Sequence, residues 1–335
     1  MRALAAPPQR HHNPEAATAA LTPARCGGRL NFNTTKAMKV IVSFSGGKDS
    51  QACLIQACKE FGTQNIEAVF CDTGWEHHLT YEHVKNVTES LGVRLVVLKS
   101  KVGGFQELCK RMKWFPDTAH RMCTVQLKIQ PSIDYILSQD EDVLIIQGIR
   151  SAESAARSKM PCSANYFEDY LKEGNKGKNL YRKGDVREWC KKHTATVSRP
   201  MLGMSAQEII DYILANGQQP NPLYRQGASR VGCYPCIYAR LSEVKNMRND
   251  KAYVERVIKL EEDVNRLRKK NDAKAERSSL FMKGKIPERF CKKYGKGIPT
   301  FEDVIAYVSR DDAQLDMFEP EEGYSCMSIY HGLCE

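Results

Sequence analysis

The stretch "IVSFSGGKDS", residues 41–50, sets a run of apolar residues directly in front of two glycines, a lysine, an aspartate and a serine. Its apolar part belongs to "KVIVSF" (39–44), which reads as a strand buried on both faces, and "DSQACLIQACKEFG" (49–62) after it reads as a helix. A glycine-rich turn from a buried strand into a helix presents backbone N–H groups and the positive end of the helix dipole, which together suit an anion. Gly46 and Gly47 allow close approach, Ser45 and Ser50 supply hydroxyls, and Lys48 supplies a cation. The spacing is neither that of the mononucleotide P-loop nor that of the dinucleotide fingerprint.

Outward from this turn the same alternation repeats. "IEAVFC" (66–71), "VRLVVL" (93–98) and "DVLIIQGI" (142–149) are short and nearly continuous in apolar character, and "TATVSRPM" (194–201) supplies a fifth strand. Helices are expected at "LTYEHVKNVTESLG" (79–92), at "VQLKIQPSIDYILSQ" (125–139) with a break near Pro131, and at "SAQEIIDYILANG" (205–217) with a serine cap. Repeated strand–helix units imply an α/β fold, a doubly wound, mainly parallel five-stranded sheet with right-handed crossovers. Residues 158–192 read as a long polar excursion beside the site. The stripe Val254, Val257, Leu260, Val264 and Leu267 marks one amphipathic helix over 252–277.

The chain of 335 residues carries 50 Lys and Arg against 40 Asp and Glu, and the resulting net charge of +10 favours anionic partners, phosphorylated small molecules or nucleic acid. No apolar run reaches the ~18 residues of a membrane helix. The expected setting is cytoplasmic, without membrane contact, and the 13 cysteines are read as reduced thiols. Cys53 and Cys58 lie on the apolar face of the first helix and read as small buried hydrophobes. Residues 1–37, rich in Ala, Pro, Arg and Asn, read as a disordered extension. Residues 38–240 then form the nucleotide-binding domain, and 241–335 a helical extension ending in a cysteine-bearing tail.

Three further stretches fall at strand ends: "CDTGWEHHLTYEHV" (71–84), "GIRSAESAARSKM" (148–160) and "NPLYRQGASRVGCYPC" (221–236). Together with "SGGKDS" they resemble the phosphoadenosine phosphosulfate (PAPS) reductase family of the PP-loop N-type ATP pyrophosphatases, an adenine nucleotide alpha-hydrolase-like (HUP) fold. The resemblance covers roughly residues 39–240. It implies that Ser45, Gly46, Gly47, Lys48, Asp49 and Ser50 hold the phosphate or phosphosulfate, with Ser43 and Gly148 at the neighbouring strand ends. Asp72, Thr73 and Gly74 line the nucleotide pocket, and Arg150, Glu153 and Arg157 complete the anion site, since paired guanidinium groups grip phosphate oxygens.

Cys233 and Cys236 have the C-x-x-C spacing of a metal or redox pair. Cys123, in "RMCTVQLKIQP" (121–131), resembles the C-T-x-x-L-K element of iron-sulfur members of the family. Cys326 or Cys334 in the tail "YSCMSIYHGLCE" (324–335), or Cys291, would be a fourth ligand. Membership implies a [4Fe–4S] cluster, with zinc as the alternative. Sulfonucleotide reductases end in "ECGLH" or "ECGIH", whereas this chain ends "HGLCE". Cys334 therefore stands as nucleophile or as ligand, and Cys326 likewise.

Three activities follow from the resemblance. In the first, a thiolate attacks the sulfur of PAPS or adenylyl sulfate, Lys48, Arg150 and Arg157 stabilise the leaving nucleotide, and a thioredoxin-like thiol donor releases sulfite. In the second, an ATP pyrophosphatase using ATP and Mg adenylates its substrate and thiolates tRNA or DNA, with "RLRKK" (266–270) and "CKKYGKG" (291–297) as phosphate contacts. The third is a catalytically silent nucleotide sensor.

Overall fold

The computed structural model describes residues 38–172, 180–292 and 297–310. Residues 1–37 and the tail bearing Cys326 and Cys334 lie outside the described residues. β1 (Met38–Ser43), β2 (Ile66–Asp72), β3 (Arg94–Lys99), β4 (Asp142–Gln147), β5 (Ser163–Asn165) and β6 (Ala195–Ser198) form one sheet in the order β3-β2-β1-β4-β6-β5. All pairings are parallel except β5 with β6. The sheet thus has six strands, where five were expected. The sixth, Ser-Ala-Asn, is short, polar and mostly exposed on an edge, so no apolar run announces it.

α1 (Lys48–Phe61) and α2 (His78–Leu91) start and stop within one residue of expectation, because Gly62 (φ 80°) and Gly92 (φ 65°) adopt the positive φ that ends a helix. α3 (Phe105–Met112) follows β3. A π-helical turn, Val125–Ile129, runs into α4 (Gln130–Leu137), so the chain stays helical through Pro131 where a break was expected. Proline cannot donate to a carbonyl one turn back, and the wider turn ahead of it, closed from Gln130 N to Val125 O, absorbs the mismatch. The described part of the excursion contains β5 and α5 (Lys183–Trp189). α6 (Ala206–Ala215) begins on Ser205, whose Oγ accepts from Glu208 N at 3.2 Å.

Helices cover both faces of the sheet. α1, α2 and α6 bury Cys53, Leu54, Val84, Val87, Ile209 and Ile213 against Val40, Val42, Ala68 and Leu144. Cys53 is fully buried and Cys58 half-buried, as the apolar helix face predicts. On the other face α4 and α5 pack Ile133, Ile136, Val186 and Trp189 against Ile41, Val143, Ile145 and Val197. A third core joins α3 to the helices after Cys236: α7 (Leu241–Met247), α8 (Lys251–Asn271) and α9 (Phe301–Val308). In α8, Val257, Leu260 and Val264 are buried and the helix ends at Asn271, six residues short of expectation, where Asp272 turns the chain. At its centre Glu261 accepts from Ser279 Oγ, Leu280 N and Phe301 N. Among the described residues no helix is long and apolar enough to cross a membrane.

His83 of α2 is buried, its Nε2 is 3.1 Å from Gln51 Oε1, and burial pushes its pKa down to about 4. The unfolded chain takes up this proton near pH 6.5, but the folded chain does so only near pH 4. Folding stability therefore falls as the pH drops through that window, by up to about 3 kcal/mol. The expected result is a urea midpoint lower at about pH 4.5 than at about pH 7, with a smaller difference in His83→Gln. An equal difference in both proteins refutes the assignment.

Candidate active site

The loop between β1 and α1 is built by its own small residues. Ser45 Oγ and Ser50 Oγ stand 3.1 Å apart, Ser50 Oγ donates to Gly47 O at 3.0 Å and lies 3.2 Å from Ser45 N. Gly46 has φ +84°, and a Cβ there would meet Val84 Cγ2 at 2.9 Å, so only glycine fits both the turn and α2. Gly148, just past β4, is held tighter still: a Cβ would stand 2.4 Å from Ser50 N and 2.6 Å from Asp49 C.

Asp49 and Arg150, 0% and 3% exposed, form an ion pair from Nε to Oδ1 at 2.7 Å. Arg150 N donates to Glu153 Oε2 at 2.8 Å, and the same oxygen accepts from Arg157 Nη1. Four of the expected anion-site residues, Asp49, Arg150, Glu153 and Arg157, are thus gathered in one buried chain of alternating charge. Lys48 Nζ lies 3.5 Å from Asp49 Oδ2 and 5.2 Å from the ring centre of Tyr224.

After β2, Asp72 Oδ1 accepts from Gly74 N and Tyr81 Oη, each at 2.8 Å. Glu76, buried, accepts from Thr73 Oγ1 at 2.5 Å and from Tyr81 Oη at 2.8 Å. This turn is joined to the C-x-x-C turn: Tyr234 N donates to Trp75 O at 2.7 Å, and Trp75 Nε1 to Pro235 O at 3.1 Å. Thr73 Oγ1 then lies 3.7 Å from Cys233 Sγ. Two motifs 160 residues apart become one wall.

A cavity of about 770 Å³ opens at this junction. Ser43, Phe44, Ser45, Ser50, Val69, Phe70, Cys71 and Gly148 line its inner end at the carboxyl edge of the sheet, and Cys233, Cys236 and Lys128 its middle. Asn246, Asn249, Asp250 and Lys251 line it at the end of α7 and the start of α8. Gly46, Gly47, Lys48, Asp49, Asp72, Thr73, Gly74, Arg150, Glu153 and Arg157 are not among the lining residues; they hold the loops that are.

Burial pushes the Cys233 thiol well above its usual range; the Lys128 ammonium opposes this, while Glu76, Cys236 and Cys123 reinforce it. Cys109, buried on α3, is likewise raised by burial and by Cys123. Cys123, Cys233, Cys236 and Cys109 therefore share one neighbourhood. Cys291 is buried in the third core, where burial, Asp303 and Glu288 raise its thiol. Sulfur donors of this kind suit a soft metal. Among the described residues, however, no three His, Cys, Asp or Glu side chains stand close enough to hold an ion. The described residues alone do not close a metal site.

Lys128, Tyr224, Glu76 and Cys109 escaped the sequence reading. Lys128, Tyr224 and Glu76 lie inside quoted motifs, so the signal was present. Nothing local distinguished Cys109 from a core thiol.

A 37.8 kDa protein of Escherichia phage 186, described as uncharacterized, is 28% identical over 88% of this chain and 96% of its own length. A Methanocaldococcus jannaschii protein, also described as uncharacterized, is 28% identical over 65% of this chain, which spans only 40% of it. The crystal structure of phosphoadenylyl-sulfate (PAPS) reductase from Candida auris in its phosphate complex is 18% identical, with a TM-score of 0.43, covering 69% of this chain and 98% of that one. The profile of the phosphoadenosine phosphosulfate reductase domain matches residues 39–239, more than half of the chain and the span that carries every loop described above; the chain belongs to that family.

Proposed function

We propose that this protein is an adenine-nucleotide-dependent enzyme of sulfur chemistry that reduces PAPS or adenylyl sulfate to sulfite. The observation that carries the reading is that Ser45 and Ser50 of the loop and the Cys233–Cys236 turn line one cavity, together with Lys128. Phe44, Val69 and Phe70 give the inner end an apolar surface suited to a purine. The hydroxyls of Ser45 and Ser50 and the start of α1 suit the phosphate. A thiolate of the tail, Cys334 or Cys326, attacks the sulfate sulfur; an S–S bond forms, the S–O bond to phosphate breaks, and the nucleotide leaves with that electron pair. A dithiol donor of the thioredoxin type then attacks the S-sulfocysteine, is oxidised to its disulfide and releases sulfite. A [4Fe–4S] cluster, or zinc, on Cys123, Cys233 and Cys236 with a tail cysteine as fourth ligand is part of the proposal.

The cavity's extension past the thiols to Asn246, Asn249, Asp250 and Lys251 favours a second reading, in which ATP with Mg activates a nucleic acid for thiolation. Anaerobic incubation with PAPS, adenylyl sulfate and ATP in parallel separates the two. Sulfite from a sulfonucleotide plus dithiol is the expected result. Pyrophosphate formed from ATP only with tRNA or DNA present moves the assignment to the second reading, and binding without turnover leaves a sensor. Iron, sulfide and zinc analysis of anaerobically purified protein, with Cys123→Ser beside it, tests the cofactor; no metal in either rejects it.

A further inference from the structure

We infer that Tyr224 is a positioning residue of the phosphate cradle, a role that rests on the nucleotide reading above. Tyr224 belongs to the turn Pro222–Gln226, remote in sequence from the loop. Its hydroxyl oxygen nevertheless accepts from Lys48 N at 3.0 Å, the first backbone amide of α1. The same side chain offers its ring to the Lys48 ammonium, 5.2 Å from the centroid. From the same turn Asn221, fully buried, donates Nδ2 to Gly46 O at 3.2 Å, and its Oδ1 accepts from Leu223 N at 3.0 Å, which fixes the turn. Residues 221–224 thus grip the loop at two points, one carbonyl and one amide.

These contacts bear on anion binding specifically. The first amides of a helix hold a phosphate only when they stay in register, and Lys48 contributes only when its charge is not surrendered to the neighbouring Asp49 carboxylate. At 3.5 Å from Asp49 Oδ2, Lys48 Nζ is already within that carboxylate's pull. The aromatic face supplies the opposing attraction that holds the ammonium above the helix start. The phenol hydroxyl sets the amide, and the ring sets the cation. Tyr224→Phe removes the first alone and Tyr224→Leu removes both.

The test measures binding of ATP, PAPS and adenosine to the wild-type protein, Tyr224→Phe, Tyr224→Leu, Lys48→Met and the two tyrosine variants combined with Lys48→Met, at a temperature where circular dichroism shows each fully folded. Expected is a loss of about fivefold for ATP and PAPS in Tyr224→Phe, corresponding to one hydrogen bond. A further loss of about threefold is expected in Tyr224→Leu, with adenosine affinity unchanged throughout. In the Lys48→Met background the extra cost of leucine over phenylalanine disappears. If the wild-type protein binds none of the three ligands, the nucleotide reading itself fails. If it binds ATP and both tyrosine variants match it within about twofold, only the role of Tyr224 is overturned. Equal losses for adenosine and ATP also overturn it, because a merely structural residue weakens both.

Discussion

Gly148→Ala is expected to lower affinity for any phosphate-bearing adenine nucleotide by more than about 100-fold and to cost about 2–3 kcal/mol of folding stability. The added methyl would stand 2.4 Å from Ser50 N, 2.6 Å from Asp49 C and 2.7 Å from Ser50 Cα, all backbone atoms that no rotamer change can move aside. Relief requires either the end of β4 or the first turn of α1 to shift. β4 is paired on both edges, to β1 and β6, and α1 is held by Leu54 and Ile55 in the core and by Asp49 on Arg150. The first turn of α1 is the part with fewer strand contacts, so it gives way, and it carries the amides that the proposed function assigns to the phosphate. Gly184→Ala serves as the control: nothing lies within 4 Å of its added Cβ, and its helical position gains from alanine. Calorimetric titration and thermal unfolding of the two variants measure the effect. Wild-type affinity in Gly148→Ala would refute the packing of the strand end on the loop.

Much of this arrangement was legible because the chemistry that forms the elements also marks their ends. Three parallel strands, β1, β2 and β4, are largely buried and appear as nearly unbroken apolar runs, β3 is as apolar in sequence but lies on the sheet edge and is half-exposed, and the glycines that terminate α1 and α2 are visible as such. In a doubly wound sheet the carboxyl ends of all parallel strands fall on one edge, so "SGGKDS", "DTGWE" and "GIRS", each at a strand end, meet there. The remainder depended on contacts with no local trace. β5 is three residues of polar sequence on an edge. The pairing of Trp75 with Tyr234 and Pro235 joins segments 160 residues apart, and no periodicity encodes it. Arg150 and Arg157 were expected to meet a ligand's anion. Glu153, in the same motif, is placed to orient one of them, as it does Arg157; the motif does not disclose that Asp49 stands beside Arg150. Lys128 reaches the cavity from a π-helical turn that local spacing does not predict, since the residues there fit an ordinary helix equally well.

Arg150→Ala is expected to destabilise the fold by about 3 kcal/mol and to weaken nucleotide binding at least tenfold, and adding Asp49→Ala to it is expected to restore part of both losses. The reason is the burial of the pair. Asp49 is 0% exposed and Arg150 3%, joined at 2.7 Å, so deleting the guanidinium removes the nearest compensation of a carboxylate that water cannot reach. That carboxylate also sits in the first turn of α1, where it is favoured by the dipole, but its uncompensated charge opposes any phosphate approaching the same amides. Asp49→Ala alone costs stability of the same order because the buried guanidinium loses its carboxylate partner at 2.7 Å, yet adds no anion beside the phosphate. The two single variants should therefore part company in binding while matching in stability. The double variant decides between two roles for Arg150. If the arginine grips the ligand directly, removing Asp49 as well returns no affinity, and Asp49→Ala/Arg150→Ala binds as poorly as Arg150→Ala. If its main task is to neutralise Asp49, the double variant binds several-fold better than Arg150→Ala. A double-mutant cycle in both urea midpoint and nucleotide affinity measures the coupling, and a value near zero in either removes the ion pair from the account of the cradle.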